Sequence, residues 1–275
     1  MTFSTKLRAV QQHNNSLLCI GLDTDVAKIP SSLRAHRLPQ FEFNRRIIDA
    51  TADLVCCYKI NSAFYEAEAE EGWQSMRETL RYIPATVVTI GDVKRGDIGN
   101  SSERYAHIFF EELNFDAVTV NPYMGKDSVA PFLQSPERGV FILAITSNPG
   151  AKDFQRLKFG KKFLYEKVVS TAMKWNGKKN IGFVVGATNP RDLRSVRALA
   201  PSAPLLIPGV GAQGGNVESA VRYGCDKNGF LAIINASRSI LYASHGKNFA
   251  SAARIEALRL REEINSWRGR YFALG

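Results

Sequence analysis

The 275-residue chain is 45% hydrophobic and 23% charged, enough for a sizeable core in a soluble globular protein, and no apolar run approaches the ~20 residues that span a bilayer. Residues 1–16 are polar and lack the apolar stretch of a secretory signal, and Cys19, Cys56, Cys57 and Cys225 lack zinc-ligand spacing, so reduced core thiols in a cytoplasmic protein are expected. The net charge of +10 is densest at 158–162 and 174–179 but accompanies no nucleic-acid motif, so solvated faces that attract a polyanionic nucleotide are expected, with neither nucleic acid nor membrane as partner.

In chain order, apolar runs alternate with helical spacing. The first strand, 17–22, closes with Asp23, and a Pro-containing connection leads to an amphipathic helix through Phe43, Ile47, Ile48 and Leu54. The second strand, 54–60, carries Lys59 near its end, and a helical stretch follows to about Tyr82. A β-branched run at 86–90 is the third strand, and Tyr105, Ile108, Phe109 and Leu113 then share a helix face. Asn100 with Glu103 three residues on resembles a capping box for that helix. Further strands are expected at 117–120, 140–145, 181–185, 205–207 and 231–234, with helices at 163–175 and 249–267. Eight apolar strands, each followed by helical pattern and with no linker between them, predict one α/β domain, a (β/α)8 TIM barrel over residues 1–275.

Polar residues gather where those strands stop, and a barrel brings all such ends to one face. The third strand runs into Asp92-Val93-Lys94-Arg95-Gly96-Asp97-Ile98-Gly99-Asn100-Ser101. Residues two apart on a strand point the same way, so Asp92 and Lys94 project together from its carboxyl end. An arbitrary Asp-x-Lys is more often a weak surface ion pair. Its position after a buried strand and before two glycines favours function here. After the seventh strand, the glycines of 209–215 open a helix, an arrangement that admits an anion to backbone N–H groups. A Gly-rich turn alone is usually only a turn, but Arg238, just past the eighth strand, adds a charged fork. The turn from Thr146 to Gly150 is equally readable as a plain strand-to-loop turn, and 151–162 as a mobile polar cover. His13, His36, His107 and His245 lie away from the strand ends and are assigned no catalysis.

Asp-x-Lys-x-x-Asp-Ile-Gly-x-Ser resembles the signature of the orotidine 5′-phosphate decarboxylase family, and Lys-Arg-Gly-Asp-Ile-Gly is most similar to its type 2 subgroup. That family usually has Thr where this chain has Ser101. The resemblance extends from Asp23 to Arg238 and implies decarboxylation of orotidine 5′-monophosphate to uridine 5′-monophosphate, without metal or organic cofactor. It assigns Lys59, Asp92, Lys94 and Asp97 to a charge array at the reacting carbon, with Lys94 as proton donor. It further implies that Asp23 binds a ribose hydroxyl, that Ser147 bonds the pyrimidine, and that Gly211, Gln213 and Arg238 hold the phosphate. In the family, the second aspartate and the following hydroxyl reach a neighbour's site, so a homodimer exchanging Asp97 and Ser101 is expected.

Three alternatives remain at this stage. A sugar-phosphate decarboxylase or aldolase sharing the Asp-x-Lys-x-x-Asp strand end would depend on Mg²⁺ and lose activity to EDTA. A Schiff-base aldolase using Lys59 or Lys94 would be trapped by borohydride. An inactive nucleotide- or RNA-binding barrel would retain RNA at moderate salt without turnover.

Overall fold

A computed structural model describes residues 1–210 and 214–273. Eight parallel strands form the expected (β/α)8 barrel: β1 Leu18–Gly21, β2 Cys57–Asn61, β3 Val88–Arg95, β4 Ala117–Val120, β5 Gly139–Ile145, β6 Ile181–Val185, β7 Leu205–Pro208 and β8 Ala232–Ala236. Each pairs with the next, and β8 returns to β1 to close the sheet. The strands are rich in Val, Ile and Ala and almost wholly buried, as parallel strands covered on both faces require. One core fills the barrel with Cys19, Val88, Ile90, Phe141, Leu206 and Ile233. A second lies between sheet and helices, where Tyr58, Val118, Ile142 and Phe183 meet Ile47, Met76, Phe109, Val196 and Ile264. All four cysteines are free and buried, in keeping with core thiols.

Among the elements the sequence reading passed over is the helix Phe3–His13. Its Phe3, Leu7 and Val10 face one way and plug the amino-terminal end of the barrel. Phe3 packs edge-on against Phe141, with ring centroids 5.8 Å apart. The plug seats because Gly139 has no side chain: a Cβ there would lie 2.6 Å from Cδ1 of Phe3.

Several boundaries differ from expectation. β2 begins at Cys57 because the helix Pro39–Thr51 ends in a 3₁₀ turn, Ala52–Leu54, whose carbonyls are taken by side chains. Asn14 Nδ2 donates to the carbonyls of Ala52 and Val55, and Ser16 Oγ to that of Leu54. The Asn100–Glu103 capping box does not form: the helix Gly99–His107 starts two residues earlier than that box would set, with Ile98 as an N-cap lacking a side-chain bond. That helix widens into a π-turn, Ile108–Glu112, which buries Phe109 and Phe110. Residues 151–162, the expected polar cover, have regular structure. They carry the helix Ala151–Phe154 and an antiparallel hairpin, Lys158–Phe159 against Lys162–Phe163. Gln155 and Arg156 tie this segment to Thr146 and Asp192. The last helix continues to Tyr271.

Candidate active site

Asp92 is the centre of the charged cluster. Its Oδ2 accepts from Lys59 Nζ at 3.1 Å, and its Oδ1 accepts from Lys94 Nζ at 2.7 Å. Lys59 also donates to Asp23 Oδ1 at 3.2 Å, so one ammonium stands between two carboxylates. Adjacent strands deliver these groups in register: Gly21 pairs with Lys59, and Asn61 with Asp92. Lys59 is almost wholly buried, with 4% of its side chain exposed, whereas Lys94 is half exposed. Burial opposes the charge on Lys59, but Asp23 and Asp92 outweigh it and hold the ammonium protonated above the usual lysine range. Burial likewise disfavours the Asp92 carboxylate, and Lys59 and Lys94 outweigh it, holding the group well below the ordinary carboxylate range. Without those partners a buried charge costs several kcal/mol, so the cluster holds its ions only as a set.

Lys94 does not leave β3 as an ordinary strand residue. Its φ is +46°, in the left-handed region, where a side chain other than glycine typically costs about 1–3 kcal/mol. The next residue anchors the turn. Arg95 pairs with Glu66, stacks over the rings of Tyr105 and Phe109, and its carbonyl accepts from Asn121 N–H at 2.8 Å.

Across the barrel mouth, the segment after β7 folds back on itself. Gly215 N–H donates to the Gly209 carbonyl at 3.0 Å, and Gly209 and Gly214 have φ of +92° and +79°. A Cβ on Gly215 would meet Gly209 O at 2.5 Å and Ala187 Cβ at 2.6 Å, so only glycine fits. Gly211 and Gln213 lie outside the described residues. Arg238 opens the short helix after β8, and with Gly209, Val210, Ser237 and Ser239 it walls a cleft of about 200 Å³. Asp23, Lys59 and Asp92 line the same cleft.

Residues 16–253 match the model of the Orotidine 5′-phosphate decarboxylase / HUMPS family. The chain belongs to this family. A relative from Dehalococcoides mccartyi, named orotidine 5′-phosphate decarboxylase, is 49% identical over 275 residues, covering 98% of this chain and 100% of its own. One of the same name from Christiangramia forsetii is 49% identical over 254 residues, covering 91% and 93%. Among solved structures, the Leishmania donovani OMP decarboxylase superposes with a TM-score of 0.85 at 37% identity, covering 98% of this chain and 100% of that one.

Within this orotidine 5′-phosphate decarboxylase family member, the fold gathers Asp23, Lys59, Asp92 and Arg238 at one cleft and joins Lys94 to Asp92. Ser147 sits half-buried at the end of β5, where a Cβ on Gly186 would come within 3.1 Å of it. Asp97 and Ser101 do not join the cluster. The Asp97 carboxylate accepts from the N–H of Ile98 at 2.8 Å, and Ser101 is exposed on the following helix.

The sequence reading, which took the segment 235–238 only as part of the family resemblance, gave no role to Asn61, Asn235 or Ser237 on the cleft wall, nor to the scaffold beneath Asp23. Tyr242 Oη donates to the Asp23 carbonyl at 3.3 Å and accepts from Asp25 N–H, while Tyr65 Oη donates to the Leu22 carbonyl. Asn44, buried on the helix Pro39–Thr51, donates to Tyr65 Oη and Thr79 Oγ1. A polar residue among the apolar positions Phe43, Ile47 and Ile48 was the available signal.

Proposed function

We propose that the chain decarboxylates orotidine 5′-monophosphate to uridine 5′-monophosphate and CO2, as the family name and the cluster chemistry together support. The observation that carries this reading is the single carboxylate, Asp92, shared between the buried Lys59 and the half-exposed Lys94. Loss of CO2 leaves a carbanion at pyrimidine C6 with little delocalisation. An ammonium fixed beside C6 offsets that charge and then donates a proton, and Lys94 has that role. Asp92 keeps Lys94 in place and repels the departing carboxylate. Its negative charge is secured on the far side by Lys59, whose ammonium already stands between Asp23 and Asp92. A divalent ion bridging those two carboxylates would have to displace it, which favours the nucleotide reading over a Mg²⁺-dependent sugar-phosphate enzyme.

Asp23 is assigned the ribose, Ser147 the pyrimidine, and Arg238 with Gly211 and Gln213 the phosphate. Phosphate binding far from C6 supplies energy for organising the reacting end. Asp97 and Ser101 are assigned to the cleft of a second copy in a homodimer. Their position outside their own cleft supports this, as does the exposed apolar surface beside them, Ile98 (56% exposed), Tyr123 (84%) and Met124 (48%). A place in pyrimidine synthesis follows from the reaction, and the cytoplasm is the compartment proposed for it. Among the described residues no helix is long and apolar enough to cross a membrane.

Arg238→Ala tests the assignment of the phosphate end. It is expected to weaken kcat/KM for orotidine 5′-monophosphate by about 2–3 kcal/mol, roughly 30- to 160-fold. With orotidine lacking the phosphate the loss should largely vanish. An equal loss with both substrates would mean that Arg238 acts elsewhere.

A further inference from the structure

The pairing of β3 with β4 leaves one residue with an unusual task. The register runs Ile90 to Ala117 and Gly91 to Val118, then resumes at Arg95 with Val120. Asp92, Val93 and Lys94 therefore all lie opposite one residue, Thr119. A bulge of this kind removes regular ladder partners from the bulged strand. Thr119 is fully buried, and its hydroxyl fills the gap. Oγ1 accepts from the Lys94 backbone N–H at 2.9 Å and donates to Asp92 Oδ1 at 3.0 Å. A hydroxyl has one hydrogen to give. Because it receives a bond from an N–H, it turns that hydrogen to the carboxylate. The same Asp92 oxygen accepts from Lys94 Nζ, so backbone N–H, hydroxyl, carboxylate and ammonium form a closed ring. Through it, the Lys94 side chain is braced against its own main chain.

We infer that Thr119 is a positioning residue for the decarboxylation: its hydroxyl fixes the Asp92 carboxylate and the left-handed backbone of Lys94 in one geometry, and so aims the Lys94 ammonium at the reacting carbon. This rests on the reading of Lys94 as proton donor. The need is for the hydroxyl rather than for the β-branched shape, so valine, which matches threonine in shape, cannot substitute and serine can.

The test compares Thr119→Val, Thr119→Ala and Thr119→Ser with wild type and Lys94→Ala. It measures kcat and KM for orotidine 5′-monophosphate, with folding checked by circular dichroism. A misplacement on the order of 1 Å costs about 100-fold in rate. Thr119→Val and Thr119→Ala are therefore expected to lose about 100-fold in kcat with KM within about threefold of wild type, and Thr119→Ser to stay within about fivefold in kcat. The inference is overturned if either hydroxyl-less variant that folds keeps near wild-type kcat, if the loss falls on KM, or if serine fares no better than valine. Alanine supplies the result should valine prevent folding. Should serine alone fold, a kcat near wild type supports the inference and a 100-fold loss overturns it. A Lys94→Ala enzyme with undiminished kcat would instead defeat the reading of Lys94, which separates the two failures.

Discussion

At the scale of single residues, the site turns on how one carboxylate is kept charged next to a substrate that carries its own. Asp92 is held below the ordinary carboxylate range, and Lys59 above the ordinary lysine range, by each other and their neighbours. For Asp92 the depressed pKa means that its contribution to stability is present above the unfolded value of about 3.9 and is lost as pH falls through the folded value. For Lys59 the sign reverses: its contribution is present below the unfolded value of about 10.4 and is lost only as pH rises beyond it. Between roughly pH 5 and 9 neither group changes charge. Urea unfolding followed from pH 5 to pH 2 is therefore expected to show stability falling with acidification in wild type and a shallower fall in Asp92→Asn. Identical slopes would show that Asp92 is not the group titrating. The Asp-x-Lys pair was legible in the sequence as two charges at a strand's carboxyl end, although the strand alternation expected to align them is broken there. The bulge that gives Lys94 a φ of +46° was not, because a register shift depends on the partner strand. Thr119 looked like any β-branched strand residue until its hydroxyl was seen opposite that bulge.

Elements were legible where burial alone dictates pattern. The parallel strands read as short apolar runs because both faces are covered, and the expected bounds of β4 and β6 coincide with those observed. Ends set by side-chain bonds to carbonyls were not legible, as at β2, where Asn14 and Ser16 from a distant segment hold the preceding turn. The plug helix went unread because its three apolar residues are spaced through a polar stretch, and the room for Phe3 is made by a glycine far along the chain, Gly139. The fold-back after β7 was readable as glycine-rich, and among its described residues Gly215 has no room for a side chain. Gly215→Ala should force the Gly209 carbonyl and Ala187 apart, costing about 1–3 kcal/mol of stability in urea. It should also raise KM for orotidine 5′-monophosphate more than it lowers kcat, because the disturbed loop borders Arg238 rather than Lys94. An unchanged KM would remove this loop from substrate binding.

Over the whole molecule, the net charge of +10 includes the exposed lysines of the hairpin, Lys158, Lys161 and Lys162, which follow the segment tied to Thr146 at the end of β5. The proposed homodimer makes a sharper demand. If Asp97 serves the partner's cleft while Lys94 serves its own, Lys94→Ala and Asp97→Ala homodimers are each nearly inactive. Co-refolding them makes half the dimers mixed by random pairing, each with one intact site, and so restores up to about a quarter of wild-type activity. No recovery, with mixed dimers confirmed by mass spectrometry, would assign Asp97 to its own subunit. The account as a whole stands on Lys94 as the ammonium that meets the carbanion. The decisive measurement is the absorbance change as orotidine 5′-monophosphate is consumed, followed with EDTA present for purified wild type and folded Lys94→Ala. Wild type is expected to form uridine 5′-monophosphate at full rate, and the variant to be slower by about 10⁴-fold or more, having lost both charge stabilisation and proton donation. No turnover by wild type, or comparable rates for the two proteins, would contradict it.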